Sequence, residues 1–426
     1  MSLKITQFNF TEQGGGAFIA GRRLHDALSK AGNQASLLVM RKKTSDSTVS
    51  MAKDSWLSFA EPLIHRMLEN VFADPVVHRF SFGFAFSSMN ANARTLIKES
   101  DAIILYWICS GLLSPREIGW LARQGKPILW RLSDMWPMTG GCHHASDCNL
   151  YQQSCGNCPQ LRYSGKYDLS KWLWRWKSSC WENLPLVIVS PSAWLAGCAK
   201  ASSLFRNKRI EVIPTGVDLS LYKPLDKKFA RMTLGLPEEA TILLAGAIDL
   251  MGPFKGGALL VEALKKWGEK RQNGLPHMLV MFGSNREAKQ DLFPIPVKQF
   301  GPVVDERQLS LLYAASDVFV IPSMQENLPN TMLESMACGT PCVAFHVGGI
   351  PDAIEHMNNG FLVEPFSTDE FARGIELILS DDEVRCRFGQ AARKTMETKF
   401  DLAQSAKKYI QLIEKLKTED RSIQSP

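Results

Sequence analysis

The chain has no long hydrophobic run, no block of like charge, no low-complexity tract and no long linker. Its longest apolar stretch, AIILYWICSGLL at residues 102–113, is too short to cross a bilayer as a helix. The first ten residues, MSLKITQFNF, lack the apolar segment of a secretory signal and read directly as a strand. A net charge of +6 without a basic cluster leaves no footprint for nucleic acid, although it suits a weak attraction to anionic lipid. The expectation is a cytoplasmic protein, with the inner face of the membrane as its candidate surface. In that compartment ten cysteines read as thiols or metal ligands before disulfides.

What is present is a regular alternation. With 426 residues and 45% hydrophobic content the chain can build more than one core. Strand KITQFNF leads through three glycines, Gly14 to Gly16, into an amphipathic helix, AFIAGRRLHDALSKAG, and then into strand SLLVM. Further strands follow at DAIILYW, KPILWRLSD, LVIVSPS and RIEVIPTGVD, then at TILLAGAID, HMLVMFGS, DVFVIPS and PCVAFHV, with helical segments between them. Two Rossmann-like domains are the economical solution: residues 1–217, carrying a cysteine-rich insertion at 142–158, and residues 218–399. A last amphipathic helix begins near Phe400 and ends in a polar tail, so 400–426 form a third segment.

The segment VFVIPSMQENLPNTMLESMACGTPCVAFHVGGIP, Val318 to Pro351, carries the most chemistry. It reads as strand, loop, helix, strand and Gly-rich loop, and ligands of such units bind beyond the carboxyl ends of the strands. On one continuous helix, eight residues subtend roughly 800°, which would leave Glu326 and Glu334 about 80° apart. Pro329 and Asn330 instead put Glu326 in the loop and Glu334 in the first helical turn. Both then border one cavity at the helix start, where Asn330 and Thr331 offer backbone N–H groups and the dipole favours a phosphate. Thr331 and Glu334 equally fit a capping box, in which Glu334 only satisfies a backbone donor.

This segment resembles the E-x7-E motif and AxGTP turn of retaining glycosyltransferases of family 4, which have the GT-B fold, and similar segments recur in order along nearly the whole chain. The resemblance implies an α/β architecture of two Rossmann-like domains facing a cleft, an acceptor domain and a nucleotide-sugar donor domain, with the C-terminal helix crossing back to the first. It implies that Glu326 lies at the donor sugar, that Glu334 binds the ribose hydroxyls, and that Gly348 and Gly349 line the same pocket. In GAIDLMGPFKGG, Lys255 and Gly256 match the family's lysine for the leaving diphosphate, while its arginine position holds Ala247. Gly15 and Gly16 match the family's first loop, although a tight turn explains them equally.

The run RLSDMWPMTGGCHHASDCNLYQQSCGNCPQL resembles a subgroup of bacterial exopolysaccharide and O-antigen enzymes that includes colanic-acid fucosyltransferases. There the strand ends in His-Asp; here Ser133 precedes Asp134, which is read as catalytic through an acceptor hydroxyl, with His143 or His144 approaching from the loop. Cys142, Cys148, Cys155 and Cys158 are candidates for a structural zinc, with free thiols or a redox pair as the other reading. No metal or cofactor is expected for the transfer itself. The segment KWLWRWKSSCW, with Trp172, Trp174, Trp176 and Trp181, fits either a membrane interface or internal packing. The expected partners are a nucleotide-diphosphate sugar donor, a glycan or lipid-linked acceptor of surface polysaccharide synthesis, and the inner membrane, with no nucleic acid. Ser133 and Ala247 support an alternative, a binding or scaffold subunit with impaired catalysis; a nucleotide-sugar epimerase is a further one.

Overall fold

The computed structural model describes residues 2–74, 80–269, 276–284 and 290–424. The chain divides into two compact units, residues 1–216 with 403–426, and residues 217–402.

The first unit contains strands β1 (Lys4–Thr11), β2 (Gln34–Arg41), β3 (Val49–Met51), β4 (Ala102–Leu105), β5 (Ile128–Arg131), β6 (Leu186–Ser190) and β7 (Arg209–Val212). Its helices are α1 (Gly16–Lys30), α2 (Trp56–Phe72), α3 (Ala91–Glu99), α4 (Pro115–Ala122), α5 (Leu169–Trp181) and α6 (Ala193–Ala201). The second unit contains α7 (Lys227–Leu234), β8 (Thr241–Gly246), α8 (Gly257–Glu269), β9 (His277–Phe282), β10 (Val297–Gln299), α9 (Glu306–Ala315), β11 (Val318–Ile321), α10 (Asn330–Ala337), β12 (Cys342–Phe345), β13 (Gly360–Val363), α11 (Thr368–Ser380) and α12 (Asp382–Lys399). Helix α13 (Leu402–Gln424) starts at the end of the second unit and packs on the first. Lys417 pairs there with Asp101 at 2.5 Å, and Glu419 with Arg209 at 3.0 Å.

Each unit has its own parallel sheet, in the order β3-β2-β1-β4-β5-β6-β7 and β10-β9-β8-β11-β12-β13. In both, the order reverses beside the first strand, which is the doubly wound pattern. The central strands AIIL, ILWR, VFVI and CVAF are buried on both faces, which explains why they read as continuous apolar runs. The strands that sequence reading missed, β3, β10 and β13, are all edge strands of three or four residues with half-exposed positions.

Trp181 is buried in the first core, edge-on to Trp130 at 5.1 Å, whereas Trp172 is 49% exposed. Lys177 is buried as well. Its ammonium donates to the carbonyls of Trp136 and Thr139 and lies 3.5 Å from the centre of the Trp136 ring.

Candidate functional site

In the second unit the loops that follow β8, β9, β11 and β12 are held together by glycines whose hydrogens touch backbone. Gly256, at φ +69°, sits where an added Cβ would lie 1.8 Å from the carbonyl oxygen of Pro322, and Met324 N–H donates to the Phe254 carbonyl at 2.7 Å. Gly283, at φ +110°, similarly faces the carbonyl of Ala247. These approaches carry Lys255, at the end of the β8–α8 loop, onto Glu326 in the β11–α10 loop. The Lys255 Nζ and Glu326 Oε1 form an ion pair, with the side chains 28% and 17% exposed. Ser323 Oγ lies 3.4 Å from the same carboxylate oxygen.

Gly348 completes the bracket. At φ +57° its α-carbon is packed so closely on Glu326 that a Cβ would fall 1.7 Å from the Glu326 carbonyl oxygen. Gly349 N–H donates to the Asn327 carbonyl at 2.7 Å. The glycine pair therefore fixes the backbone of the glutamate loop.

Helix α10 starts at Asn330, and its N-cap, Pro329, has no side chain that can cap it. Asn330 and Thr331 are partly exposed at this start. Glu334 is the fifth residue of the helix, just past the first turn in which the sequence reading placed it, because the helix already starts at Asn330 with Pro329 as its N-cap. The capping-box reading is set aside: Glu334 is 3% exposed and accepts from the Tyr313 hydroxyl at 2.8 Å. Burial first, and the Glu334 charge second, push the Tyr313 phenol well above its ordinary range, so it remains a donor. Tyr313 was not legible as part of the site, since nothing in its helical segment marks it as more than core.

Helix α1 in the first unit is also without a side-chain cap: Gly15 is its N-cap and Gly14 has φ +121°. By contrast α2 to α7, α9, α11 and α12 all begin with a Ser, Asn or Asp that accepts from the first turn. Gly16 is exposed and Gly15 partly so. The two helices that follow the glycine loop and the glutamate loop thus keep their starts clear of side-chain caps.

Beyond β5, Asp134 is enclosed by protein donors. Its Oδ2 accepts from Trp107 Nε1 at 3.1 Å and lies 2.7 Å from His143 Nδ1, and its Oδ1 accepts from the Trp136 N–H at 2.9 Å. Burial alone would raise its pKa, but His143 and these hydrogen bonds outweigh burial and hold it below the usual carboxyl value. His143 Nε2 is 2.9 Å from Ser81 Oγ, which is itself bonded to Glu69 at 2.9 Å. The single Ser81 hydroxyl proton can serve only one of these neighbours. The His143 ring stacks on Trp107 at 5.7 Å, and Trp107 meets Phe18 of α1 edge-on at 5.7 Å, which connects the pair to the glycine loop. His143 thus reaches the strand end that lacks a histidine in sequence. Ser133 accepts from Arg131 at 3.1 Å.

The four loop cysteines line one small cavity of about 10 Å³, together with Gly140, Tyr151 and Gly156. All ten cysteines are free, and Gly140 N–H donates to Cys155 Sγ at 3.1 Å. Burial pushes the thiols of Cys142, Cys155 and Cys158 up to about 12. Among the described residues, no three His, Cys, Asp or Glu side chains stand in an arrangement ready to hold a metal ion. Nor is any described helix long and apolar enough to cross a membrane.

Residues 227–395 match the family model of glycosyl transferases group 1. Similar proteins include the D-inositol 3-phosphate glycosyltransferases of Saccharomonospora viridis, 32% identical over 199 residues, and of Geodermatophilus obscurus, 33% identical over 189 residues. These alignments cover 43% of this chain and 45% of the first relative, and 42% of both chains for the second, so the chain spans less than half the length of the curated relatives it matches. Among solved structures, sucrose-phosphate synthase from Thermosynechococcus elongatus superposes with a TM-score of 0.64 at 20% identity, over 97% of this chain and 99% of that one. HepE from Anabaena, in complex with UDP-glucose, superposes with a TM-score of 0.64 at 16% identity, over 97% and 100%. Residues 227–395 are thus similar to the glycosyl transferases group 1, in a chain whose two parallel-sheet units have the GT-B fold.

Proposed function

We propose that the chain is a retaining glycosyltransferase that moves a sugar from a nucleoside diphosphate to a glycan or lipid-linked acceptor of a bacterial surface polysaccharide, working in the cytoplasm. The observation that carries the reading is the ion pair of Lys255 with Glu326 at the carboxyl ends of β8 and β11. A cation and a carboxylate held together there suit a ligand with an anionic end and a hydroxylated end. In this reading the diphosphate draws Lys255 to itself, and the freed Glu326 carboxylate turns to the sugar. Negative charge that gathers on the departing diphosphate meets the ammonium and the start of α10, which stabilise the transition state more than the intact donor. Glu334, held by Tyr313, receives the ribose hydroxyls.

In the first unit, Asp134 acts as a positioning residue for His143 rather than as a free acid. The glycine loop before α1 contributes backbone to the acceptor or the donor phosphates. The structural zinc is retained as a proposal on the shared cavity and the cysteine spacing; loading it requires the thiols to deprotonate and rotate onto one centre.

Incubating the chain with a panel of nucleoside-diphosphate sugars and glycan acceptors tests the reading. A new glycoside with the donor's anomeric configuration supports it, and Glu326→Ala should abolish the product without unfolding the chain. Binding without transfer would favour the scaffold alternative, which rests on Ser133 in place of a histidine and Ala247 in place of a second cation, and isomerised donor would favour an epimerase.

A further inference from the structure

Helix α2 is inside out. Its buried positions include Ser58, Glu61 and His65, whereas Trp56, Phe59, Leu63, Met67 and Val71 are 50–81% exposed. These five fall on one face, since Phe59, Leu63, Met67 and Val71 succeed one another every fourth residue. A helix facing water normally shows the opposite arrangement. The polar side is held inward by specific bonds. The Glu61 carboxylate accepts from the N–H groups of Phe86 and Ser87, at 2.6 and 2.5 Å, and His65 Nε2 lies 3.0 Å from the Phe84 carbonyl.

The apolar face continues sideways. Phe86, half exposed, stacks on Phe84 at 5.9 Å, and Phe84 meets Trp172 at 5.8 Å. Trp172 then lines a groove of about 450 Å³ with the exposed rings of Tyr163 and Tyr167.

Cations predominate around this surface: exposed Asp54 lies just before α2, and Asp168, which lines the groove, is held by the backbone N–H groups of Cys158, Gly165, Ser170 and Lys171. Both acids of α2 are engaged within the protein, Glu61 as described and Glu69 by Ser81. The charged residue left on the exposed side is Arg66. Arg41 donates to the Phe59 carbonyl at 2.9 Å and lies 6.0 Å from its ring, and Arg162 donates to the Asn70 carbonyl at 3.3 Å. Lys166 and Arg175 lie within 5.6 and 5.8 Å of the Tyr167 ring. Apolar side chains in the middle, aromatic rings beside them and cations at the edge are the composition that a bilayer boundary with anionic headgroups selects.

We propose that α2 and the adjoining aromatic groove seat the first unit on an anionic lipid surface, with the helix lying in the plane of the headgroups. The proposal does not depend on the transferase reading, because it uses neither catalytic candidates nor donor.

Flotation of the full chain with vesicles tests it. The chain should rise with phosphatidylcholine vesicles containing one third phosphatidylglycerol, and at least tenfold less with phosphatidylcholine alone or in 0.5 M salt. Leu63→Asp combined with Met67→Asp should lower the partition at least tenfold while leaving the melting temperature unchanged. If the aspartates disturb folding, the corresponding glutamines serve, with the same direction expected. The proposal is overturned if no vesicle binds, if the variants float as well as the native chain, or if light scattering finds a native dimer that these substitutions dissolve, since a second copy would then cover the face.

Discussion

Replacing Gly348 by alanine tests how the glutamate loop is held. Two costs arise at this position. The first is conformational: φ is +57°, a region that costs an L-residue about 1–2 kcal/mol. The second is steric, because the new Cβ would lie 1.7 Å from the Glu326 carbonyl oxygen, a backbone atom that moves only with its loop. Overpacking of this kind adds about 1–3 kcal/mol, so the total is about 2–5 kcal/mol. Gly301 in the same unit isolates the first cost, since it has φ +67° and an added Cβ there would meet no atom within 4 Å. Urea unfolding should therefore show Gly301→Ala losing about 1–2 kcal/mol and Gly348→Ala clearly more. Because relief of the clash displaces Glu326 from Lys255, Gly348→Ala should also lower kcat/KM for the donor by a factor of about 100, a loss of about 2.7 kcal/mol in the transition state. Equal stability of the two variants, or unaltered donor kinetics for Gly348→Ala, would refute the bracket.

Further outcomes follow from the same geometry. Glu334→Gln keeps an acceptor for Tyr313 but removes the charge, so nucleoside diphosphate affinity should fall about tenfold in calorimetry with little change in melting temperature. Burial lowers the Lys177 pKa from its ordinary 10.5 to about 7, so between these values the unfolded chain binds the extra proton and stability rises with pH. Urea unfolding at pH 7 and 8.5 should show a change in stability about 1–2 kcal/mol more favourable for the native chain than for Lys177→Met; the buried thiols, which begin to ionise in the unfolded chain as pH nears 9, act in the opposite direction in both proteins. The Asp134 pKa is lowered, so its contribution is complete above the ordinary carboxyl value of 3.8 and is lost as pH falls through the folded value. His143→Ala should accordingly move acid unfolding, followed by tryptophan fluorescence, to higher pH. For the cysteine loop, elemental analysis of gently purified protein should return about one zinc per chain; none would end that proposal.

The sequence made the sheets legible wherever strands are buried on both faces, as at DAIILYW and DVFVIPS, because continuous β-branched runs leave few alternatives. It failed at β3, β10 and β13, whose edge positions need no such run. Spacing and resemblance singled out Glu326, Glu334 and Lys255, but not that Lys255 and Glu326 pair. That contact depends on Gly256 against Pro322 and Gly348 against Glu326, both of them approaches between segments distant in sequence. His143 was one of two loop histidines, with His144, until the fold brought Asp134, Trp107 and Ser81 around it. For α2, helical periodicity reveals two faces without saying which one turns inward. Only the partners of Glu61 and His65 decide that.

The most direct test of the central claim is calorimetric titration of nucleoside diphosphates into the native chain and into Lys255→Met. The native chain should bind at least one of them with micromolar affinity, and the variant should bind it at least tenfold more weakly. Failure of every nucleoside diphosphate to bind, or equal affinity in the two proteins, would contradict the account.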